Sequence, residues 1–287
     1  MRTETRRIGR ELGRGFLAFL IAVAVLIGLA LATQGRVRDQ TASLIGASAV
    51  ALCYLITLRW IERRQAPELK PGRRAAELGA GIAVGIGLFS LVMAALWAIG
   101  VYRSSGWGTL AGLGSGALFA LSAAVLEEII FRGYLFRLLS AAVGTWIAVL
   151  VTSLLFGAAH AANPGATLFS SFAIAVEAGV ILAAAYALTG RLWLPIGLHL
   201  GWNFAESTIW GMSVSGGAVT PSLTRGNLRG AAILTGGAFG PEASILAIMS
   251  CLTVGVILLW RAARLGRVEP PMWKAGLETT ASANTRS

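Results

Sequence analysis

The chain returns repeatedly to uninterrupted apolar stretches of about 20 residues, the length needed to cross the hydrocarbon core of a bilayer. They run over 15–33, 42–58, 78–101, 109–126, 144–160, 167–188, 192–210 and 243–260, the fourth continuing through a charged motif. Only 13% of the residues are charged, roughly half the share of a soluble domain. The expected fold class is therefore all-α, a polytopic membrane helical bundle of about eight transmembrane helices.

A net charge of +11 raises nucleic acid as a partner, but the placement of the charges argues against it. Nineteen of the 24 lysines and arginines fall before the first stretch, between the second and third, around Arg132, Arg137 and Arg191, or after the last. Arg36, Arg38, Arg103, Arg225 and Arg229 make up the other side. This asymmetry is the positive-inside pattern and places both termini in the cytoplasm. The implied partner is a lipid bilayer with anionic headgroups, with no nucleic acid. The first stretch exceeds the apolar core of a signal peptide and reads as a retained anchor. Cys53 and Cys251 fall inside apolar stretches as small packing residues.

Against this background the polar residues are few and gathered. The chain has two histidines, His160 and His199, both within apolar stretches. His199 and Asn203 are four apart and share a helix face, as do Glu128 and Arg132, while Glu127 turns about 100° from Glu128. Glu206 lies roughly on the His199 face. Each ionisable group in a bilayer span costs about 2.5–3.5 kcal/mol on insertion scales, so this concentration between positions 127 and 203 reads as a site. Gly81-x-x-x-Gly85 and Gly112-x-x-x-Gly116 read as helix-packing surfaces. Glu177 is either a supporting partner of the site or a structural hydrogen bond to a neighbouring helix. Glu242 reads as an interfacial charge where the Gly/Ser/Thr-rich loop 211–242 re-enters the membrane.

The inventory removes several chemistries. A single aspartate, Asp39, excludes an aspartyl dyad, and neither HExxH nor GxSxG occurs. Glu, His and Asn remain. That set suits carboxylate activation of water with His and Asn stabilising an oxyanion; it equally suits a zinc site of two His and one Glu.

EEIIFR at 127–132, FGAAH at 156–160 and HLGWN at 199–203 match, in order, the EExxxR, FxxxH and HxxxN/D motifs of the CPBP intramembrane peptidases. That family includes type II CAAX prenyl endopeptidases and bacteriocin-processing or lysostaphin-resistance-like proteins, and this chain resembles it over about 108–260. The resemblance implies an intramembrane endopeptidase of a bacterial cytoplasmic membrane. Its substrate class is a membrane-anchored, prenylated or otherwise hydrophobic peptide. Glu127 would be the general base, His160 would hold the water, and His199 with Asn203 would form the oxyanion pocket. Glu128 and Arg132 would organise the site. The cofactor is either none or Zn2+, held if present by His160, His199 and Glu127. The domain reading is N-terminal transmembrane helices over 1–107, a catalytic core over 108–260 and a basic tail over 261–287, disordered from 268. Two other readings fit the same residues. One is a non-catalytic resistance, immunity or partner-binding membrane protein. The other is a proton- or metal-coupled transporter, which would favour the duplicated halves not seen here.

One tension is geometric. His160 falls near the far end of its stretch from Glu127 and His199, so its helix must begin deep, tilt or end within the bilayer. Pro164 and Gly165 permit an early ending. The charge pattern is directly testable with alkaline phosphatase fusions expressed in bacteria. A fusion after Arg264 should be inactive and one after Arg103 active; the opposite pattern would reverse the topology.

Overall fold

Lipid offers no partner to a backbone amide, so an apolar stretch persists in a membrane as a helix or not at all. The computed structural model, which describes residues 2–37 and 39–272, is a helical membrane bundle. Its helices are α1 (Arg2–Thr33), α2 (Asp39–Thr57), α3 (Arg74–Ala98), α4 (Leu113–Glu128), α5 (Arg137–Val143), α6 (Thr145–Ala159), α7 (Leu168–Ile174), α8 (Val180–Thr189), α9 (Trp193–Phe204), α10 (Ala232–Thr235) and α11 (Ile245–Arg264). α4 and α5 are joined without a break by a π-helical stretch, Ile129–Phe136. α7 and α8 are joined the same way by Ala175–Gly179, and α9 is prolonged by Ala205–Ile209.

Among the described residues, six helices are long and apolar enough to cross a membrane: Gly9–Thr33, Gln40–Glu62, Arg74–Ala98, Leu110–Val143, Leu168–Thr189 and Ile245–Arg264. The other two expected spans are shorter. The stretch 144–160 yields only the fifteen residues of α6, and 192–210 yields α9 with its π turn. The eight stretches thus divide into six long helices and two short ones, and both short ones carry site residues.

α9 is the central helix. Six of the nine residues from Pro195 to Asn203 are buried and apolar, His199 and Asn203 are buried beside them, and only Leu200 is partly open. Its closest neighbour is α3, where glycines face glycines. A methyl group on Gly81 or Gly85 would overlap the backbone of α9 at Leu194 and Leu198, and one on Gly197 or Gly201 would overlap Leu78 and Ile82 of α3. The expected packing role of Gly81 and Gly85 is met by a second pair, Gly197-x-x-x-Gly201. Gly112 and Gly116 instead press on Pro221 and Thr208. α6 shows its two faces clearly: Trp146, Leu150 and Leu154 are exposed as a lipid-facing surface, while Val149, Ser153 and Phe156 are buried.

α6 stops early for local reasons. His160 caps it, Pro164 cannot extend a helix, and Gly165 takes a left-handed turn at φ +69°. Thr167 and Ser170 then form a capping box that starts α7. The early ending that the sequence permits is realised.

The loop 211–242, expected to be irregular, is partly ordered. β2 (Thr224–Leu228) pairs antiparallel with β1 (Tyr102–Trp107), Tyr102 opposite Leu228, and Thr224 Oγ1 donates to the Ile209 carbonyl at 2.8 Å. This two-stranded pairing is a small addition to the helical bundle and ties the loop down over the end of α9. At the opposite end, Glu62 accepts from Arg64 and Arg137 at 2.8 and 2.9 Å, Arg64 and Tyr54 donate to Glu68, and Arg191 pairs with Glu77. Arg137 and Arg191, grouped on one side by charge counting, thus gather with Arg64 at one end of the bundle.

The segment set apart as a tail, 261–287, begins inside α11, and its first turn of extended chain is held in place. Thr145 N–H donates to the Glu269 carbonyl at 3.0 Å, and Ser140 donates to the Glu269 carboxylate at 3.1 Å. Disorder therefore does not begin at 268. Residues 273–287, with Lys274 and Arg286, and also Arg38, lie outside the described residues.

The glycine seam predicts a steep penalty for added volume. Gly201→Val should lower unfolding stability in detergent by about 3 kcal/mol, the upper range of overpacking. Gly87→Ala, which meets nothing within 4 Å, should be neutral or slightly stabilising. Equal melting temperatures for the two variants would contradict the seam.

Candidate active site

Three helices deliver the polar residues to one place. α4 ends on Glu127 and Glu128, α6 ends on His160, and α9 presents His199 and, one turn on, Asn203. The joint between α4 and its π-helical continuation lies at Glu128, so the Glu128–Arg132 pair straddles a change of helical pitch. π-helical turns are rare and often sit at functional sites. Of the three other π-helical stretches among the described residues, two contain Glu177 and Glu206 and the third is Leu58–Glu62.

Glu128 and Arg132 are both fully buried and bonded at 2.8 Å between Oε1 and Nη1. The same Glu128 Oε1 accepts from His199 Nδ1 at 3.1 Å. Arg132 also donates Nη2–H to the carbonyls of Gly179 and Ala178, at 3.2 and 3.4 Å, and its guanidinium lies 4.7 Å from the Phe156 ring centre. A buried ion pair is favourable only when its remaining valences are met, and backbone and ring contacts meet several of them here.

Glu127 points away from this pair, as its turn from Glu128 predicts, and stands before both imidazoles. Its Oε2 lies 3.8 Å from His160 Nε2 and 4.0 Å from His199 Nε2. These separations are too long for direct hydrogen bonds and suit a single bridging water. Glu127 Oε2 is buried and has no hydrogen-bond partner. His160 Nδ1 lies 2.8 Å from the Phe156 carbonyl. A carbonyl only accepts, so Nδ1 carries the proton, and in the neutral ring Nε2 is left as an acceptor facing Glu127.

Both histidines and Asn203 open onto one small cavity of about 20 Å³. Its walls also include Glu177, Trp202, Ser215, Glu242 and Cys251. The structure therefore brings Glu127, His160, His199 and Asn203 together, with Glu128 and Arg132 behind them. Glu177 lines the site cavity together with Cys251 of α11. Glu242 needs correction: at 2% exposure it is an interior residue of the site cavity, because the loop folds inward after Gly240 instead of resting at the surface. Glu206 is fully buried and lies beside Glu242.

Trp202 and Ser215 were not anticipated. Trp202 follows His199 at a spacing of three and could have been placed on the site by helical geometry. Ser215 lies in a Gly/Ser-rich loop where no periodicity signals a contact; its φ of +47°, unusual for a residue with a side chain, is visible only in the fold.

The donor set for a metal is chemically suitable, with two imidazole nitrogens directed at one carboxylate oxygen. Among the described residues, however, no three His, Cys, Asp or Glu side chains stand in a metal-holding arrangement. Were an ion bound here, His160, His199 and Glu127 would hold it and it would polarise a bound water.

Residues 108–205 match the model of a family described as Type II CAAX prenyl endopeptidase Rce1-like. A curated protein of Bacillus subtilis (strain 168), named Putative membrane peptidase YdiL, is 37% identical over 79 residues, which cover 28% of this chain. The chain spans 30% of the length of that relative. Both likenesses support the resemblance to CPBP intramembrane peptidases drawn from the three motifs. The family match holds Glu127 through Asn203 and stops before Glu206 and Glu242.

The Glu128 junction predicts that Arg132→Ala, which strands a buried carboxylate, will cost about 3–5 kcal/mol of stability. The double variant Glu128→Gln with Arg132→Met should recover most of that loss, measured by thermal unfolding in detergent.

Proposed function

We propose that the chain is an intramembrane endopeptidase of a bacterial cytoplasmic membrane, cleaving a peptide bond in a membrane-anchored or otherwise hydrophobic peptide. One observation carries this reading: a buried, unpartnered carboxylate oxygen of Glu127 faces two imidazole Nε2 atoms at 3.8 and 4.0 Å. That is a holder for one water.

In this reading the water donates one proton to Glu127 and the other to His160 Nε2. Its free lone pair then meets the scissile carbonyl carbon. Glu127 takes the proton as the C–O bond forms. The oxyanion is met by the Asn203 amide and by His199, whose Nε2–H is available when the ring is an imidazolium paired to Glu128 through Nδ1. Glu128 and Arg132 touch no substrate; they fix the His199 ring and its proton on Nδ1. In this reading the carboxylate activates the water and no metal is required.

The test uses purified protein in detergent with hydrophobic-tailed and prenylated peptides. Glu127→Ala should reduce kcat/KM by about 10³-fold or more, and Asn203→Ala by about 10²-fold, as for loss of a base and of one oxyanion donor. Activity should survive dialysis against a strong chelator. Cleavage that persists in Glu127→Ala and His199→Ala would leave a binding protein in place of a peptidase.

A further inference from the structure

Water activation uses Glu127, the two histidines and Asn203. It leaves a second group of carboxyls unexplained. Glu177, Glu206 and Glu242 are 2%, 0% and 2% exposed, and among the described residues none of them is paired with a lysine or arginine. Glu206 lies beside Glu242, and neither Glu206 oxygen nor Glu242 Oε1 has a hydrogen-bond partner. Neighbouring buried carboxyls without a cation can satisfy one another only by holding a proton between them, because an ionised carboxylate is an acceptor alone. Three adjacent bare anions in a low-dielectric interior are in any case prohibitive. The group therefore stores at least one proton.

This store opens onto the catalytic cavity. Glu242 Oε1 is buried without a hydrogen-bond partner, and so is Trp202 Nε1; both residues line the cavity shared with His160, His199 and Asn203. Its volume of about 20 Å³ is enough to hold water. A water there has a donor in Trp202 N–H and an acceptor or donor in Glu242. Glu127 is not part of the cavity wall, so the cavity brings to the site a carboxyl separate from the base.

We propose that Glu242 is the proton donor to the leaving amine, acting through one water held by Trp202. The assignment rests on the peptidase reading and completes its proton balance. Attack by water forms the C–O bond and leaves one proton on Glu127. When the tetrahedral intermediate collapses, the C–N bond breaks, the nitrogen takes a proton relayed by the cavity water, and Glu242 gives one up. The proton held by Glu127 passes back through water to Glu242, and no net proton is gained or lost by the protein. Ser215 lies beside Glu242 on the same cavity wall.

The experiment compares two substrates that differ only at the scissile position, a peptide amide and the matching ester. An amine must be protonated to depart, whereas an alkoxide depends far less on it. Glu242→Gln keeps the shape of the side chain and should lower kcat/KM on the amide by about 10²-fold or more while lowering it on the ester by less than about 5-fold. Trp202→Phe, which removes only the N–H and part of the ring, should show the same bias at about 10-fold, and it decides the matter if Glu242→Gln does not melt cooperatively in detergent. Equal losses on both substrates, or none on either, overturn the assignment while leaving the peptidase reading intact. A wild-type protein that cleaves neither substrate overturns the peptidase reading, and the assignment with it.

Discussion

A hydrocarbon interior gives an ion no partner, so every charge placed there must be answered by protein. The answer in this fold converges on one atom, Glu128 Oε1, which accepts from Arg132 on its own helix and from His199 on α9. That atom ties two helices, sets the His199 ring, and consumes the charge of Arg132, the only arginine among the described residues that is buried in the site. Glu127 is released by it. The neighbouring carboxylate would otherwise compete for Arg132 and would not be available to water.

The remaining scaffold keeps this junction in register. α9 cannot slide on α3 without driving one backbone into the other at Gly85 and Gly201. His199 and Asn203 therefore hold a fixed height. α6 is shorter and bounded by turns, and its histidine is fixed instead by a hydrogen bond to Phe156 one turn before it. Two different devices thus hold the two imidazoles, a packed seam for one and a helix end for the other. The covering loop adds a third, since Asn163 Nδ2 donates to the Ser215 carbonyl at 3.0 Å and joins the α6 end to the cavity wall.

Much of the site was legible because it obeys helical spacing. Glu128 with Arg132 and His199 with Asn203 lie four apart, and the rotation of Glu127 from Glu128 follows from pitch alone. Pro164 and Gly165 announced the early end of α6. Gly197 and Gly201 carried the same small-residue spacing as Gly81 and Gly85, and only their pairing across 116 positions was hidden. The π-helical turns were not legible, because they respond to tertiary packing and not to local propensity. Nor was Glu242: a glutamate beside Pro241 at a loop end looks interfacial, and its burial depends on Gly240 adopting φ +127° and on strand pairing with residues more than a hundred positions away. Chain ends behaved similarly, since the docking of Glu269 depends on a turn at Gly144 that no feature of the tail foretells.

The brevity of α6 has a consequence for the surrounding lipid. Fifteen residues rise about 22 Å, several ångströms less than the ~30 Å of a typical hydrocarbon layer. The flank of the protein bearing Trp146, Leu150 and Leu154 thus imposes a hydrophobic mismatch, which lipid relieves by thinning locally or by drawing headgroups toward the shorter end. That end is the turn beginning at His160. On the peptidase reading, thinning at that end would bring the aqueous phase nearer to a reaction that consumes one molecule of it per cycle.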